Sequence, residues 1–274
     1  MRPNVQSQDT ATLLKRVAVI IPARMQATRL PEKPLAMIGD APMVVHVMRR
    51  ALEAGFGTDG GKVIIACDDQ RIADAITAEG HPNGLAVLTD PNHPSGSDRV
   101  FEALQTIDPD GTIDIVVNLQ GDLPDIDASM LLPLVNALTQ HDADIATPVA
   151  PASEEEVAKP QVVKAAVAFG AEKPQAGISA PVLYFSRHPI PHGGAPKSDV
   201  PIWHHVGIYA WRRSALARFV SLAPSPLEKS EKLEQLRALE NGMKIVALVV
   251  DSAPGGIDTP EDLADARIRM ADQF

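Results

Sequence analysis

Short apolar runs, rich in β-branched residues, alternate along the chain with stretches of helical period. The runs fall at residues 17–21, 63–67, 86–88, 113–119, 145–149, 162–169, 206–211 and 245–250, and their length and composition predict strands. Between them apolar positions recur every three to four residues over 43–54, 71–79, 99–106, 129–139, 214–220 and 227–240, which predicts helices. Gly55, Gly80 and the pair Asn241-Gly242 stand where three of these should stop. A last helix is signalled by Thr259-Pro260-Glu261-Asp262: a capping hydroxyl, a proline in the first turn and an acid that can bond back to the cap. Such alternation predicts an α/β fold with a mostly parallel central sheet flanked by helices. Residues 1–15 carry no such pattern and are expected to form a disordered tail, which leaves 16–274 as a single domain. Within it, 151–201 is rich in proline, glycine and alanine, and that break in the alternation predicts an inserted lobe or an oligomer contact.

Composition narrows the class. With 274 residues and 45% hydrophobic content the chain can bury a sizeable core. No apolar run approaches the roughly 18–20 residues that span a bilayer, and no leader-like hydrophobic stretch opens the sequence. The single cysteine, Cys67, excludes an internal disulfide; its apolar neighbours mark it as strand core in a reducing compartment. A net charge of −10 argues against broad nucleic-acid binding, so an anionic substrate has to be met by a local basic cluster.

Some motifs fail on context. Gly55, Gly57 and Gly60 match a dinucleotide fingerprint in letters, but they follow a helix and lead into a strand, the reverse of the required order. His188 and His192 have zinc-chelating spacing only on a helix, which Pro189 and Pro191 forbid.

The basic cluster lies just after the first strand, where Arg24, Arg29 and Lys33 stand against a single acid, Glu32. In an open parallel sheet this is the carboxyl edge, where ligands bind; three cations and exposed amides there suit a polyphosphate, the plain alternative being a solvated loop. Asp122 in Asn118-Leu119-Gln120-Gly121-Asp122 should emerge on the same edge, and Asp258 again follows a strand, with Thr259 free to cap the next helix. Either aspartate taken alone reads better as a turn residue. Carboxylates beside a polyphosphate repel it by up to about 4 kcal/mol per close pair at an effective dielectric near 20. A divalent cation shared between carboxylate and phosphate oxygens removes the conflict, and hard oxygen ligands of this kind suit Mg²⁺.

Seven blocks in order, PARMQATRLPEKPL, HPSGSDRV, VVNLQGDLP, LYFSRHPIP, HHVGIYAW, PSPLEKSEKLEQLRALENG and IDTPEDL, resemble the 3-deoxy-manno-octulosonate (Kdo) cytidylyltransferase family. The resemblance implies a glycosyltransferase-A-like fold with an inserted dimerisation or sugar-binding lobe. It implies transfer of CMP from CTP to Kdo with release of pyrophosphate, in a cytoplasmic homodimer that supplies lipopolysaccharide synthesis. Arg24, Arg29 and Lys33 would bind the triphosphate, with Ala23 and Ser97 near the cytidine, and Arg24, Lys33, Asp122 and Asp258 would form the catalytic set. Asp122 and Asp258 would hold Mg²⁺. Arg99, Gln120, Arg187, His205, Tyr209, Glu234 and Gln235 would surround the sugar acid, with Arg187 suited to a carboxylate through its planar fork.

The chain departs from the family pattern at four places: Glu32 for a glycine, Leu123 for a frequent glutamate, Ser97-Asp98-Arg99 for Thr-Glu-Arg, and Lys232 for a hydrophobic residue. The rival readings are a cytidylyltransferase for another acidic sugar, such as 8-amino-Kdo or a sialic acid, and a non-catalytic nucleotide-binding protein of the same fold. A dehydrogenase is disfavoured by the misplaced glycines.

Overall fold

The computed structural model describes residues 10–26, 29–57, 61–170, 173–196, 198 and 200–271. The chain folds into two compact units, Met1–Ala128 with Ile257–Phe274, and Ser129–Gly256, where the sequence suggests a single domain.

The first unit contains strands β1 (Val17–Ala23), β2 (Met37–Ile38), β3 (Ala41–Pro42), β4 (Lys62–Cys67), β5 (Gly84–Leu88) and β6 (Ile115–Asn118), with helices α1 (Thr10–Leu14), α2 (Met43–Glu53), α3 (Gln70–Glu79) and α4 (Gly96–Ile107). Four of the strands pair in parallel in the order β6-β1-β4-β5, with Val19 opposite both Val63 and Val117. Helices cover such a sheet on its faces, so its central strands read as unbroken apolar runs rather than alternating ones. Residues 17–21 and 63–67 are accordingly without solvent exposure, each large side chain contributing about 1.5–3 kcal/mol on burial. Cys67 lies in this core, and burial pushes its thiol up to about 11, so it stays protonated. Residues 1–9 of the expected tail lie outside the described residues; Thr10–Leu14 is helical with Leu14 buried, which corrects the expectation of disorder up to residue 15. Gly60 of the rejected fingerprint also lies outside the described residues.

The second unit holds β7 (Ile145–Pro151), β8 (Lys164–Val167), β9 (Ser179–Ser186), β10 (Trp203–His205), β11 (Tyr209–Arg212) and β12 (Ile245–Val249), with α5 (Leu131–Gln140), α6 (Glu154–Val157), α7 (Arg213–Ser221), α8 (Pro226–Glu231) and α9 (Gln235–Glu240). The strand order is β10-β8-β9-β12-β7-β11, with β10 also paired to β7. Only β7 and β12 run parallel; the other pairings here are antiparallel. The parallel character expected of the sheet is therefore concentrated in the first unit, with β7 and β12 the parallel pair of the second. Among the described residues no helix lies between β8 and β9, and the two run antiparallel. The segment 151–201, expected as a lobe, supplies β8 and β9 to this sheet. The helix expected at 227–240 is two helices, broken where Lys232 adopts φ 56°.

After β12 the chain returns to the first unit and ends in α10 (Pro260–Arg269). Its start forms the expected capping box, Thr259 and Asp262 each bonding the other's backbone N–H. Ile257, Leu263, Ala266 and Met270 pack with Leu30, Ile38 and Met43 in one buried cluster. No helix among the described residues is long and apolar enough to cross a membrane.

Candidate active site

β1 ends at Ala23 and β6 at Asn118, so the loops that follow leave the same carboxyl edge of the parallel sheet. They border a cleft of about 580 Å³ built wholly from the first unit. Ala23, Arg24, Arg29 and Lys33 line it from the first loop, Gln120, Gly121 and Asp122 from the second, and Asp258 from the segment before α10. His93, Pro94, Ser95, Gly96 and Arg99 complete the wall at the start of α4.

The expected carboxylates meet at a single cation. Lys33 Nζ donates to Asp122 Oδ2 at 2.7 Å and to Asp258 Oδ1 at 3.0 Å, and Arg29 Nη2 lies 2.9 Å from Asp258 Oδ2. A backbone bond from Ile257 N–H to Asp122 O at 3.1 Å fixes the two segments against each other. Gly121 is needed for this approach, because a Cβ there would stand 2.8 Å from Pro22 O, a backbone atom that cannot give way. Thr259 carries the cap, which leaves the Asp258 carboxylate free of it, as expected. No group of three or more His, Cys, Asp or Glu forms a metal cage among the described residues. Two hard carboxylates converging on one positive charge nevertheless fit Mg²⁺, which takes one or two protein carboxylates and completes its shell with water and phosphate oxygens. Leu123 is buried in the core, so the position of the frequent family glutamate adds no ligand.

The loop is anchored by a residue that the sequence reading missed. Asp68 Oδ1 accepts the Met25 N–H at 3.0 Å, and its Oδ2 lies 3.7 Å from Arg99 Nη2, with both side chains almost fully buried. Arg99 also donates to Thr89 Oγ1 at 2.5 Å, so this arginine forms part of the wall of the nucleotide-sized cleft. The available signal was an acid directly after a buried strand, the same placement that singled out Asp122. Glu32 sits in the left-handed region, φ 54° and ψ 29°, and accepts from Arg71 Nη1 at 2.5 Å. Ser97 is fully buried within α4. Ser95, two residues earlier, lines the cleft and caps the helix, accepting from the N–H groups of Ser97 and Asp98 at 3.2 and 3.4 Å.

The remaining expected residues lie in the second unit. His205 is buried, shares a 2.9 Å hydrogen bond with Thr147 Oγ1, and packs edge-on against Phe185 with centroids 4.7 Å apart. Burial pulls its pKa down to about 3, so the ring is neutral. Tyr209 stands 5.6 Å from that ring, and burial, with the nearby Glu234 charge, pushes its hydroxyl well above the usual range. Gln235 is buried at the start of α9, next to Glu234. Arg187 donates from Nε to Glu231 O at 2.8 Å, and from its two terminal nitrogens to Pro160 O and Lys232 O, both at 3.1 Å. Three of its five donors therefore hold main-chain carbonyls. A buried lysine, Lys164, was not singled out from the sequence; its Nζ donates to Lys159 O at 2.6 Å and Arg187 O at 3.2 Å.

Cations and paired carboxylates gathered at strand ends are suited to nucleotide phosphates rather than to a dinucleotide's nicotinamide, and they class the protein among the α/β nucleotidyltransferases. A family model described as cytidylyltransferase matches residues 18–245. A 3-deoxy-manno-octulosonate cytidylyltransferase of Nitrobacter hamburgensis is 51% identical over 257 residues, 93% of each chain, and that of Parvibaculum lavamentivorans is 50% identical over 92% of each. The solved structure of CMP:2-keto-3-deoxy-manno-octonic acid synthetase complexed with CTP superposes with a TM-score of 0.81 at 35% identity, covering 94% of this chain and all of that one. UTP-bound UGPase from Acinetobacter baumannii, 14% identical over 94% of each chain with a TM-score of 0.62, shares the fold. The chain belongs to the 3-deoxy-manno-octulosonate cytidylyltransferase family.

Proposed function

We propose that the protein transfers CMP from CTP to Kdo, forming CMP-Kdo and pyrophosphate, with Mg²⁺ bound at Asp122 and Asp258. The observation that carries this reading is the Lys33 ammonium seated between those two carboxylates at the carboxyl edge of the sheet. Arg24, Arg29 and Lys33 bind and orient the triphosphate, and Lys33 and Arg24 offset the charge that develops as pyrophosphate departs. Asp122 and Asp258 hold the metal, whose bound form supplies charge neutralisation at the phosphate oxygens. Ala23 borders the cytidine, with Ser97 buried just behind the cleft wall. The family resemblance assigns Arg99, Gln120, Arg187, His205, Tyr209, Glu234 and Gln235 to the sugar acid. The anomeric hydroxyl forms the new bond to the α-phosphorus as the bond to pyrophosphate breaks. A cytoplasmic homodimer in lipopolysaccharide synthesis accords with this activity.

A pyrophosphate-release panel pairing CTP, UTP and GTP with Kdo, 8-amino-Kdo and a sialic acid tests the reading, and turnover should be greatest for CTP with Kdo. Asp122→Ala should abolish the Mg²⁺-dependent rate by at least about a hundredfold. Near-full turnover of that variant would remove Asp122 from the metal site. Light scattering of the purified protein reads the dimer directly.

A further inference from the structure

Glu32 sits awkwardly in a loop built for phosphate. It is the one acid in the stretch that carries Arg24, Arg29 and Lys33, and it directly precedes the lysine seated between Asp122 and Asp258. A carboxylate free to turn toward the cleft would repel a bound triphosphate, because like charges within about 8–10 Å are only partly screened in ordinary salt. The structure turns it the other way. Arg24, Arg29 and Lys33 line the cleft, whereas Glu32 borders a separate hollow of about 430 Å³ in the same unit, together with Asp68, Asp69 and Arg71. There Arg71 Nη1 donates to Glu32 Oε1 at 2.5 Å. The guanidinium is itself fixed: Nε and Nη2 donate to Asp69 Oδ1 and Oδ2 at 3.0 and 2.8 Å, and Asp69 also caps α3 by accepting the Arg71 N–H at 2.9 Å. Isolated exposed pairs do little, but an arginine forked onto one acid and shared with a second forms a network with a set direction. The main chain agrees with that direction, since Glu32 O accepts the Leu35 N–H at 2.8 Å and closes the short turn that begins at Lys33.

We infer that Arg71 is a positioning residue that acts through Glu32, holding and neutralising that acid away from the triphosphate while Lys33, the next residue, faces it. Asp69 aims the guanidinium for this task. This inference rests on the CTP reading above and deepens it.

The test is the KM for CTP, with Kdo and Mg²⁺ saturating, in wild type, Arg71→Gln, Glu32→Gln and the double variant, beside CTP binding by titration calorimetry. Arg71→Gln frees the acid and should raise the KM for CTP about three- to tenfold while leaving the KM for Kdo unchanged, and the rise should shrink in about 0.5 M salt. Glu32→Gln keeps the size of the side chain, removes its charge and should not raise the KM for CTP. The double variant has no acid left to release, so its KM should return to within about twofold of Glu32→Gln alone. A direct phosphate contact by Arg71, or a purely structural role on α3, gives no such rescue; a double variant as impaired as Arg71→Gln therefore overturns the inference, as does a wild-type KM in Arg71→Gln. Calorimetry reads the same rescue should turnover be lost, and Arg71→Ala, a better helix former, replaces Arg71→Gln should that variant fail to fold, with the same outcomes deciding. Absence of pyrophosphate release from CTP and Kdo in the wild type would instead defeat the underlying reading.

Discussion

Glu32 shows how one residue carries both strain and charge. A left-handed backbone costs an L-residue about 1–2 kcal/mol that glycine does not incur, which gives a physical reason for the glycine of the family loop. Its pair with Arg71 is exposed and screened by solvent, so it returns little, and glycine's greater unfolded-state freedom offsets most of the strain it would relieve. Glu32→Gly should therefore shift stability by no more than about 1 kcal/mol, while the β-branched Glu32→Val should cost at least about 1 kcal/mol; urea unfolding of the pair reads this, and equal effects would refute it. His205 behaves differently, because its folded pKa, about 3, lies below the unfolded value near 6.5. The unfolded state then binds the extra proton, so this contribution is complete above about pH 6.5 and falls as pH drops toward 3. Between pH 7 and 5 the loss should be about 2 kcal/mol, and the slope should flatten in His205→Gln, whatever the variant's stability at pH 7. Residue chemistry was readable for Arg24, Arg29, Lys33, Asp122 and Asp258 because each sits at a fixed offset from an apolar strand. Asp68, Arg71 and Lys164 escaped notice because their importance lies in partners 43, 39 and 23 residues away, which no local pattern reveals.

Among the elements, the pair α8–α9 shows where periodicity misleads. Its apolar positions keep helical spacing across 227–240, yet Lys232 reverses the backbone, and Arg237 closes the pair by a fork to Glu228 with contacts of 2.8 and 2.5 Å. Arg187 is bonded to the carbonyls on this break, so removing it leaves them unpaired besides altering the sugar-acid group. Arg187→Ala should raise the KM for Kdo and also lower stability by about 1–3 kcal/mol. An unchanged KM with lowered stability would confine Arg187 to a structural role. β1, β4 and β6 were readable because both their faces are buried and they form continuous apolar runs, whereas the two-residue strands β2 and β3 were not foreseen. β9 was missed, since Pro181 and the exposed Leu183 interrupt its pattern; the strand expected at 206–211 is β11, and β10 lies wholly before it.

For the whole molecule, alternation of strand and helix gave the α/β class, but packing between distant segments decided the units. The first unit is discontinuous: α10 and Ile257 complete a core begun by Leu30, Ile38 and Met43. A chain ending at Gly256 would expose these side chains and lose burial worth about 1.5–3 kcal/mol for each large one removed. That truncation should aggregate or bind a hydrophobic dye at room temperature; a folded, monodisperse product would contradict the packing described. The same arrangement has a consequence in time. Asp258 shares Lys33 with Asp122, yet the second unit separates the two aspartates along the chain. During synthesis the ribosome must add all of residues 129–256 before the second carboxylate exists, so Lys33 and Asp122 are made long before their third partner and before the core that holds it can close.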